Sequence, residues 1–382
     1  MKRKLLRIAS YLVVAVLASA LTLGVNWWLG DYSKLEQLES LIEQLYIEDV
    51  DLTTVEDYAA EGMIAALGDR WSYYIPASEY QSYQEQSENA YVGIGITIIQ
   101  AEDGSGLEVV EVQPEGPAMG AGMLPGDLIT TIAGQSAAGM TTEEARNLVR
   151  GQEGTFVSIT VRREEQELNL SVMRARIETV VASGQLLDGN IGLVTISNFD
   201  QRCAQESIAA IEELLNQGAE KLIFDVRFNP GGYADELVKL LDYLLPEGNL
   251  FQTVDSLGRE TLDTSDEKWL DVPMAVLVNA DTYSAAEFFA AALQEYEAAT
   301  IVGVQTYGKG RFQSALQLSD GSAVNLSIGE YYTPQGRNLA GVGITPDVVV
   351  ELDEEDLEAL YYGRLPLEED AQLQTAIAAL AQ

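Results

Sequence analysis

Residues 191–241 read IGLVTISNFDQRCAQESIAAIEELLNQGAEKLIFDVRFNPGGYADELVKLL. Apolar runs rich in β-branched residues alternate here with stretches whose apolar residues recur every three or four positions, and the alternation continues to residue 304. The first pattern predicts strands and the second predicts helices. The predicted elements are strands at 191–197, 221–227, 274–278 and 300–304, and helices at 204–217, 234–244 and 284–296. Repeated strand–helix units predict a sheet with parallel strand pairs, helices on its face, and chemistry in the loops that follow the strands.

The preceding region, which we assign to a domain at 86–175, has a different pattern. Short β-branched runs lie between Gly and Pro turns, which predicts a compact, mostly β domain. Its predicted strands are 94–100, 107–112, 127–132, 156–162 and 167–172, with a helix at 142–149.

The N-terminus carries an export signal. Basic residues precede 22 uncharged positions from Ile8 to Leu29, which is long enough to span about 30 Å of hydrocarbon. We predict an uncleaved membrane anchor at 1–30, a cytoplasmic N-terminus, and a single-pass protein of the cell membrane with the rest outside. A cleaved signal peptide is the alternative, because Ala18-Ser19-Ala20 resembles a cleavage site.

Two further segments are predicted to be helical. In residues 31–85, leucines at spacings of three and four form an apolar helical face, for which we expect a packing role. The acidic tail at 352–382 is predicted to be helical, and the sequence assigns it no function.

Composition excludes several functions. The 22 Lys plus Arg against 60 Asp plus Glu give a charge of −38, so we expect no nucleic-acid partner. The chain has no His, which excludes His-dependent hydrolases and His-ligated metals. We therefore expect no metal and no cofactor. The single cysteine, Cys203, is expected to be a buried filler residue.

Three motifs at the ends of predicted strands are candidates for chemistry. FDVRFNPGG at 224–232 ends in Gly231 and Gly232, whose amides could hold an oxyanion or simply form a tight turn. Ser284 stands at the start of an Ala-rich helix, where it could be a nucleophile or an ordinary N-cap. Lys309 lies between two glycines in QTYGKGRFQ. It could be a desolvated general base or a solvated loop residue, and Gln313 could orient its amine.

These motifs together resemble the C-terminal processing peptidases, also called tail-specific proteases, of the serine-lysine type. The similarity runs from about residue 36 to 351 and includes LGDRWSYYIPASEY at 67–80 and YYTPQGRNLAGVGITPDVVVEL at 331–352. The resemblance implies that Ser284 is the nucleophile, Lys309 the general base and Gln313 the residue that positions the lysine. It also implies that backbone amides of Ala285 and of Gly231 or Gly232 form the oxyanion hole.

The mostly β domain resembles a PDZ domain. Its Gly-apolar-Gly-apolar loop and its LPGD turn at 124–127 match that family, and such a loop presents backbone N–H groups to a carboxylate. The predicted peptide-binding residues are Gly93, Ile94, Gly95 and Ile96. The resemblance implies that this domain captures protein substrates by their apolar C-terminal tails.

The expected fold is a multidomain α/β plus mostly-β chain. It comprises the anchor, the helical region, the PDZ domain and, at 176–351, a peptidase domain of the crotonase and ClpP-like α/β type. The expected function is membrane-anchored proteolysis through an acyl-enzyme. A catalytically silent PDZ scaffold is the alternative, a crotonase-like enzyme that does not cut peptides is a distant third, and a homo-oligomer is left open. Tyr283, Phe228 and Ala286 depart from the family pattern, which leaves substrate preference open.

Overall fold

The computed structural model describes residues 33–87, 89–101 and 103–381. The predicted anchor at 1–30 therefore lies outside the described residues. Within the described ranges, no helix combines the length and the apolar character that crossing a membrane requires. The described chain divides into a unit that ends at Pro76 and a unit that begins at Ala77.

The first unit contains two helices, α1 (Lys34–Leu45) and α2 (Leu52–Ala65), and a short strand, β1 (Tyr73–Ile75). Ser33 and Asp51 cap the two helices with their side-chain oxygens, as the spacing of polar residues before each apolar run requires.

The apolar face of α1 corrects one expectation. No residue of α1 or α2 is buried, so the predicted packing role of that face is not seen. The exposed leucines of α1 are Leu35, Leu38, Leu41 and Leu45.

The second unit starts with a helix and the PDZ-like domain. Its elements in chain order are α3 (Ala77–Ser87), β2 (Ala90–Gly93), β3 (Ile96–Gln100), β4 (Leu107–Val112), α4 (Pro117–Gly120), β5 (Leu128–Ile132), β6 (Gln135–Ser136), α5 (Thr142–Val149), β7 (Phe156–Arg163), β8 (Gln166–Met173) and β9 (Ala175–Glu178). Strands β3, β4, β5, β7 and β8 form one antiparallel sheet in that order. The entry and exit strands, β2 and β9, pair with each other and close the domain at its base.

Alternation along the strands builds the core of this domain. Leu107 and Val109 on β4, and Ile159 and Val161 on β7, are fully buried, whereas their immediate neighbours Glu108 and Thr160 are not. The strand predicted at 94–100 begins only at Ile96, because residues 94 and 95 form a break after β2, where Gly95 has a φ of +74°. The interruption is the loop that the Gly-apolar-Gly-apolar motif predicts.

The region that is predicted to be a peptidase domain, called the peptidase region below, follows. Its elements are β10 (Ala182–Leu187), β11 (Ile191–Ile196), α6 (Cys203–Asn216), β12 (Lys221–Asp225), α7 (Ala234–Leu244), β13 (Gly248–Asp255), β14 (Glu260–Ser265), β15 (Met274–Val278), α8 (Ala285–Glu295), β16 (Ala299–Gly303), β17 (Arg311–Gln317), β18 (Ala323–Tyr332), β19 (Val348–Val349), α9 (Glu354–Tyr361) and α10 (Ala371–Ala379). The central sheet has the order β10-β11-β12-β15-β16-β19, parallel from β11 onward as predicted. Cys203 is fully buried, as expected, and burial raises the pKa of its thiol.

Both faces of the central sheet are covered. Leu222 and Phe224 of β12 point into the core beneath α6, α7 and α8, while Ile223 between them joins a second core. That second core contains Leu373 and Ala376 of α10, so the C-terminal helix is packed. Near-continuous apolar strands are typical of parallel sheets buried on both sides.

A second sheet was not predicted. Strands β17, β18, β13 and β14 are antiparallel, with β18 pairing β17 on one side and β13 on the other. This sheet carries the segment that follows Lys309.

Candidate active site

Ser284 lies between β15 and α8 in a backbone conformation that L-residues rarely adopt. Its φ is +59° and its ψ is −130°, and the residue is 6% exposed. Such a conformation persists only where the surroundings enforce it, and it is found at strand-to-helix turns that present a serine nucleophile. The strain favours a role for Ser284 beyond that of a helix cap.

Hydrogen bonds lock the Ser284 turn to the loop after β12. The Thr282 hydroxyl donates to the Val226 carbonyl at 2.8 Å, and the Tyr283 N–H donates to the Asn229 carbonyl at 3.1 Å. The two motifs at neighbouring strand ends thus form one structure.

Gly231 fits against this turn because it has no side chain. A Cβ at this position would lie 2.7 Å from the Ser284 Cβ and 2.8 Å from the Ala285 nitrogen, and its φ is +84°. The Gly231 N–H donates to Asn229 Oδ1 at 2.8 Å within its own loop, and its role as an oxyanion donor stays a prediction. The amides of Gly232 and Ala285 form no hydrogen bond within the described part of the chain.

Glu287 connects the serine to the lysine loop. Its side chain is fully buried, and one carboxylate oxygen accepts the Ser284 N–H at 3.1 Å and the Lys309 N–H at 2.8 Å. The other oxygen accepts the Thr306 hydroxyl at 2.5 Å and the Gly308 N–H at 2.7 Å. Burial raises the pKa of Glu287, and these four donors oppose the rise.

Lys309 reaches toward the Ser284 turn. Its ammonium nitrogen lies 5.8 Å from the centre of the Tyr283 ring, and Tyr283 immediately precedes the serine. The centre of the Tyr307 ring lies 5.4 Å from that of Tyr283, so the ring next to the lysine is itself packed against a second ring. Tyr283 is half-buried, and this burial raises the pKa of its phenol.

Gln313 is held by the sheet that follows the lysine loop. Its Nε2 donates to the Arg311 carbonyl at 3.1 Å and to the Ser327 hydroxyl at 3.0 Å, next to a bulge in the β17–β18 pairing. These bonds fix the amide on the strand.

The predicted peptide loop lines a groove of about 650 Å³ between β3 and α5. The carbonyls of Ile94 and Gly95 accept the N–H groups of Ala118 and Gln113, while the Ile94 and Gly95 amides form no hydrogen bond in the described chain. Backbone donors are therefore available at the end of an apolar groove, which suits an extended peptide with a free carboxylate.

Several residues that position the site were missed from the sequence. Glu287 stands three residues after Ser284, and this serine-to-glutamate spacing at a helix start was available as a signal. Arg227 is 8% exposed and is paired with Asp225 at 2.6 Å and with Asp370 at 2.8 Å. Because Asp225 and Asp370 lie 145 residues apart, no local pattern predicts that cluster.

Comparison with protein families gives two matches. Residues 190–350 match the sequence profile of peptidase family S41, and residues 108–163 match that of the PDZ domain.

Two similar proteins are both described as carboxy-terminal processing proteases. The carboxy-terminal processing protease CtpA of Bacillus subtilis (strain 168) is 34% identical over 381 residues, which are 96% of this chain and 80% of that protein. A carboxy-terminal-processing protease of Bartonella bacilliformis is 30% identical over 357 residues, covering 89% of this chain and 80% of that protein.

A solved structure is also similar. The photosystem II D1 C-terminal processing protease is 27% identical with a TM-score of 0.51, over 87% of this chain and 90% of that one.

Proposed function

The chain belongs to peptidase family S41, among the carboxy-terminal processing proteases, and from this premise we propose that Ser284 and Lys309 cleave protein substrates by a serine-lysine mechanism. The observation that carries the proposal is the Glu287 carboxylate, which accepts backbone N–H groups of both residues. A nucleophile and its base must be held in fixed geometry, and a buried acceptor shared by both segments provides that.

In the proposed reaction, the neutral amine of Lys309 takes the proton of the Ser284 hydroxyl. The serine oxygen attacks the peptide carbonyl, and the resulting oxyanion is held by the N–H groups of Gly232 and Ala285. The lysine ammonium then gives its proton to the leaving amine, which leaves an acyl-enzyme. A water activated by the same lysine hydrolyses the ester, with Gln313 fixing the base from its strand.

Substrate capture is assigned to the PDZ groove. Its floor is apolar, since Ile94 is buried and Ile96 and Ile98 lie along the edge of the sheet. A tail that adds itself to β3 gains backbone hydrogen bonds and places its apolar side chains in the groove. We therefore propose that substrates present exposed apolar C-terminal tails.

Attachment to the cell membrane is a further part of the proposal. It rests on the basic residues and the uncharged run at 8–29, which favour a cytoplasmic N-terminus and an extracytoplasmic catalytic portion.

The test compares the full chain with Ser284→Ala and Lys309→Ala, using a loosely folded reporter protein with an apolar C-terminal tail. Lys268→Ala is the matched control, because Lys268 is exposed and distant in sequence from the three motifs. We expect the parent and Lys268→Ala to cut the reporter, and both site variants to lose at least about 1,000-fold in kcat.

Cleavage by Ser284→Ala at the parental rate would contradict the mechanism. Binding of the tail without cleavage by the parent would favour the silent scaffold instead.

A further inference from the structure

The peptide groove carries positive charge in a chain that is otherwise strongly acidic. Arg146 and Arg150 lie on the α5 side of the groove, opposite the strand β3. With a net charge of −38, most surfaces of this protein repel anions. The two arginines therefore make the peptide groove an exception to the acidic surface, and they can affect which peptides the groove selects.

The two arginines differ in what neutralises them. Arg150 has the Glu85 carboxylate of α3 at 4.0 Å. Arg146 is exposed and forms no ion pair with any residue of the described chain. Arg146 is thus the cation of this groove that remains available to an incoming anion.

Tyr91 shows which end of the groove the arginines face. Tyr91 lines the groove together with Arg146 and Arg150, and the positive charges of both arginines oppose the rise in the pKa of its phenol that burial causes. The Tyr91 ring lies against Gly93, where an added Cβ would meet a ring carbon at 2.6 Å. Gly93 begins the Gly-apolar-Gly-apolar loop, so the cations flank the end of the groove that receives the C-terminus of a peptide.

The terminal carboxylate of a peptide already has partners at this end. The Ile94 and Gly95 amides, which form no hydrogen bond within the described chain, suit that carboxylate. A second anion in the last few residues would find Arg146.

We propose that Arg146 makes this groove prefer tails that carry an acidic side chain among their last three residues, within an otherwise apolar sequence. The inference rests on the proposed capture of tails by the PDZ groove and adds a charge requirement to it. Complementary charge at an exposed site contributes modestly to affinity and strongly to the choice between partners.

The experiment measures binding of fluorescent ten-residue peptides to the full chain carrying Ser284→Ala, which prevents cleavage. Three sets of peptides share one apolar sequence and place Glu, Gln or Lys at the last, second-last or third-last position. At low salt we expect the best Glu peptide to bind about two- to fivefold more tightly than its Gln counterpart, and the Lys peptide more weakly than both. Raising the salt concentration should reduce the difference.

Two substitutions test whether Arg146 causes the preference for acidic tails. Arg146→Gln should bind Glu and Gln peptides equally, and Arg146→Glu should reverse the order so that Lys peptides bind best. Arg162→Glu is the matched control, because Arg162 is an exposed arginine of the same domain outside the groove. It should keep the parental order.

Three results would overturn the inference. They are equal binding of Glu and Gln peptides to the parent, a preference that survives Arg146→Gln, and an equal loss of affinity for all peptides in Arg146→Gln. The last result would show that Arg146 contacts only the terminal carboxylate. A peptide with an amidated C-terminus separates this outcome from failure of tail capture, because undiminished binding of that peptide would disprove capture itself.

Discussion

Ser284 and Gly231 depend on each other at the scale of single residues. The serine holds a positive φ because the loop after β12 closes against its turn, and the loop can close because residue 231 has no Cβ. Glu287 then completes the arrangement by accepting the N–H groups of the serine and of the lysine. The strained turn is thus supported from both sides.

Gly231→Ala is expected to lower kcat/KM by at least about 100-fold, because the new Cβ would displace the Ser284 turn. Gly218→Ala is the control, since Gly218 also has a positive φ, of +100°, but open space around its Cβ. Both substitutions should cost about 1–2 kcal/mol of unfolding free energy from backbone strain. Gly231→Ala should cost more than this because of its steric clash, and only Gly231→Ala should lose activity. Unchanged activity in Gly231→Ala, measured beside urea unfolding of both variants, would contradict the close fit described here.

The C-terminal helix contributes to the site at the scale of elements. Asp370 caps α10 by accepting the N–H groups of Gln372 and Leu373, and it also pairs with the buried Arg227. Arg227 precedes Phe228, whose ring meets that of Tyr361 in an edge-to-face contact at 5.3 Å. The segment that the sequence left without a role therefore holds the loop that carries the glycine amides.

Asp370→Asn should therefore destabilise the protein by about 1.5–3 kcal/mol, because it removes one of the two carboxylates that pair with the buried Arg227, while Asp225 remains. We also expect a fall in kcat with little change in KM, since the substitution lies behind the oxyanion loop rather than in the groove. Asp271→Asn, at an exposed aspartate, is the control and should alter neither quantity. Urea unfolding and steady-state kinetics measure both effects, and an Asp370→Asn variant with the stability and kcat of the parent would contradict the interpretation.

At the scale of the whole molecule, the PDZ-like domain and the peptidase region have separate cores. The buried residues of β4, β5 and β7 form one cluster, and those around the central sheet form others, with no buried residue in common within the described chain. Separate cores predict separate unfolding transitions. An ion pair internal to one core should then affect only its own transition.

Asp127 provides that test in the PDZ-like domain. Burial raises the pKa of its carboxyl, but two hydrogen bonds from Arg163 and one from the Leu124 N–H outweigh this and leave the pKa below its ordinary value. The ionised form therefore adds stability above pH ~4, and this contribution is lost as the pH falls through the lower pKa of the folded state.

In calorimetry at pH 7, Asp127→Asn should lower the midpoint temperature of one unfolding transition, by an amount equivalent to about 2 kcal/mol, and leave the other transition unchanged. Below pH 4 the difference from the parent should shrink. Glu165→Gln, at an exposed glutamate of the same domain, is the control. If Asp127→Asn shifted all transitions together, the two cores would be cooperative and the separation wrong.

The helices and strands predicted from the sequence agree best with the structure where the sequence pattern is local. Strand 107–112 and helices 142–149 and 234–244 have the predicted bounds, because alternation and helical spacing are properties of short segments. The parallel sheet also follows from alternating elements. Strands β13, β14, β17 and β18 were not predicted, since their polar, half-exposed sequences become strands only by pairing with one another.

The sequence by itself determined the family, the two domain types and the candidate residues Ser284 and Lys309, because motifs in a fixed order are readable from the chain. Only the tertiary structure decided which groups these residues meet. It committed the Gly231 amide to Asn229, placed Glu287 between the serine turn and the lysine loop, and joined Asp370 to Arg227. Hydrogen bonds and burial depend on distance in space, and residues far apart in the chain become neighbours only when the sheet and its covering helices have formed.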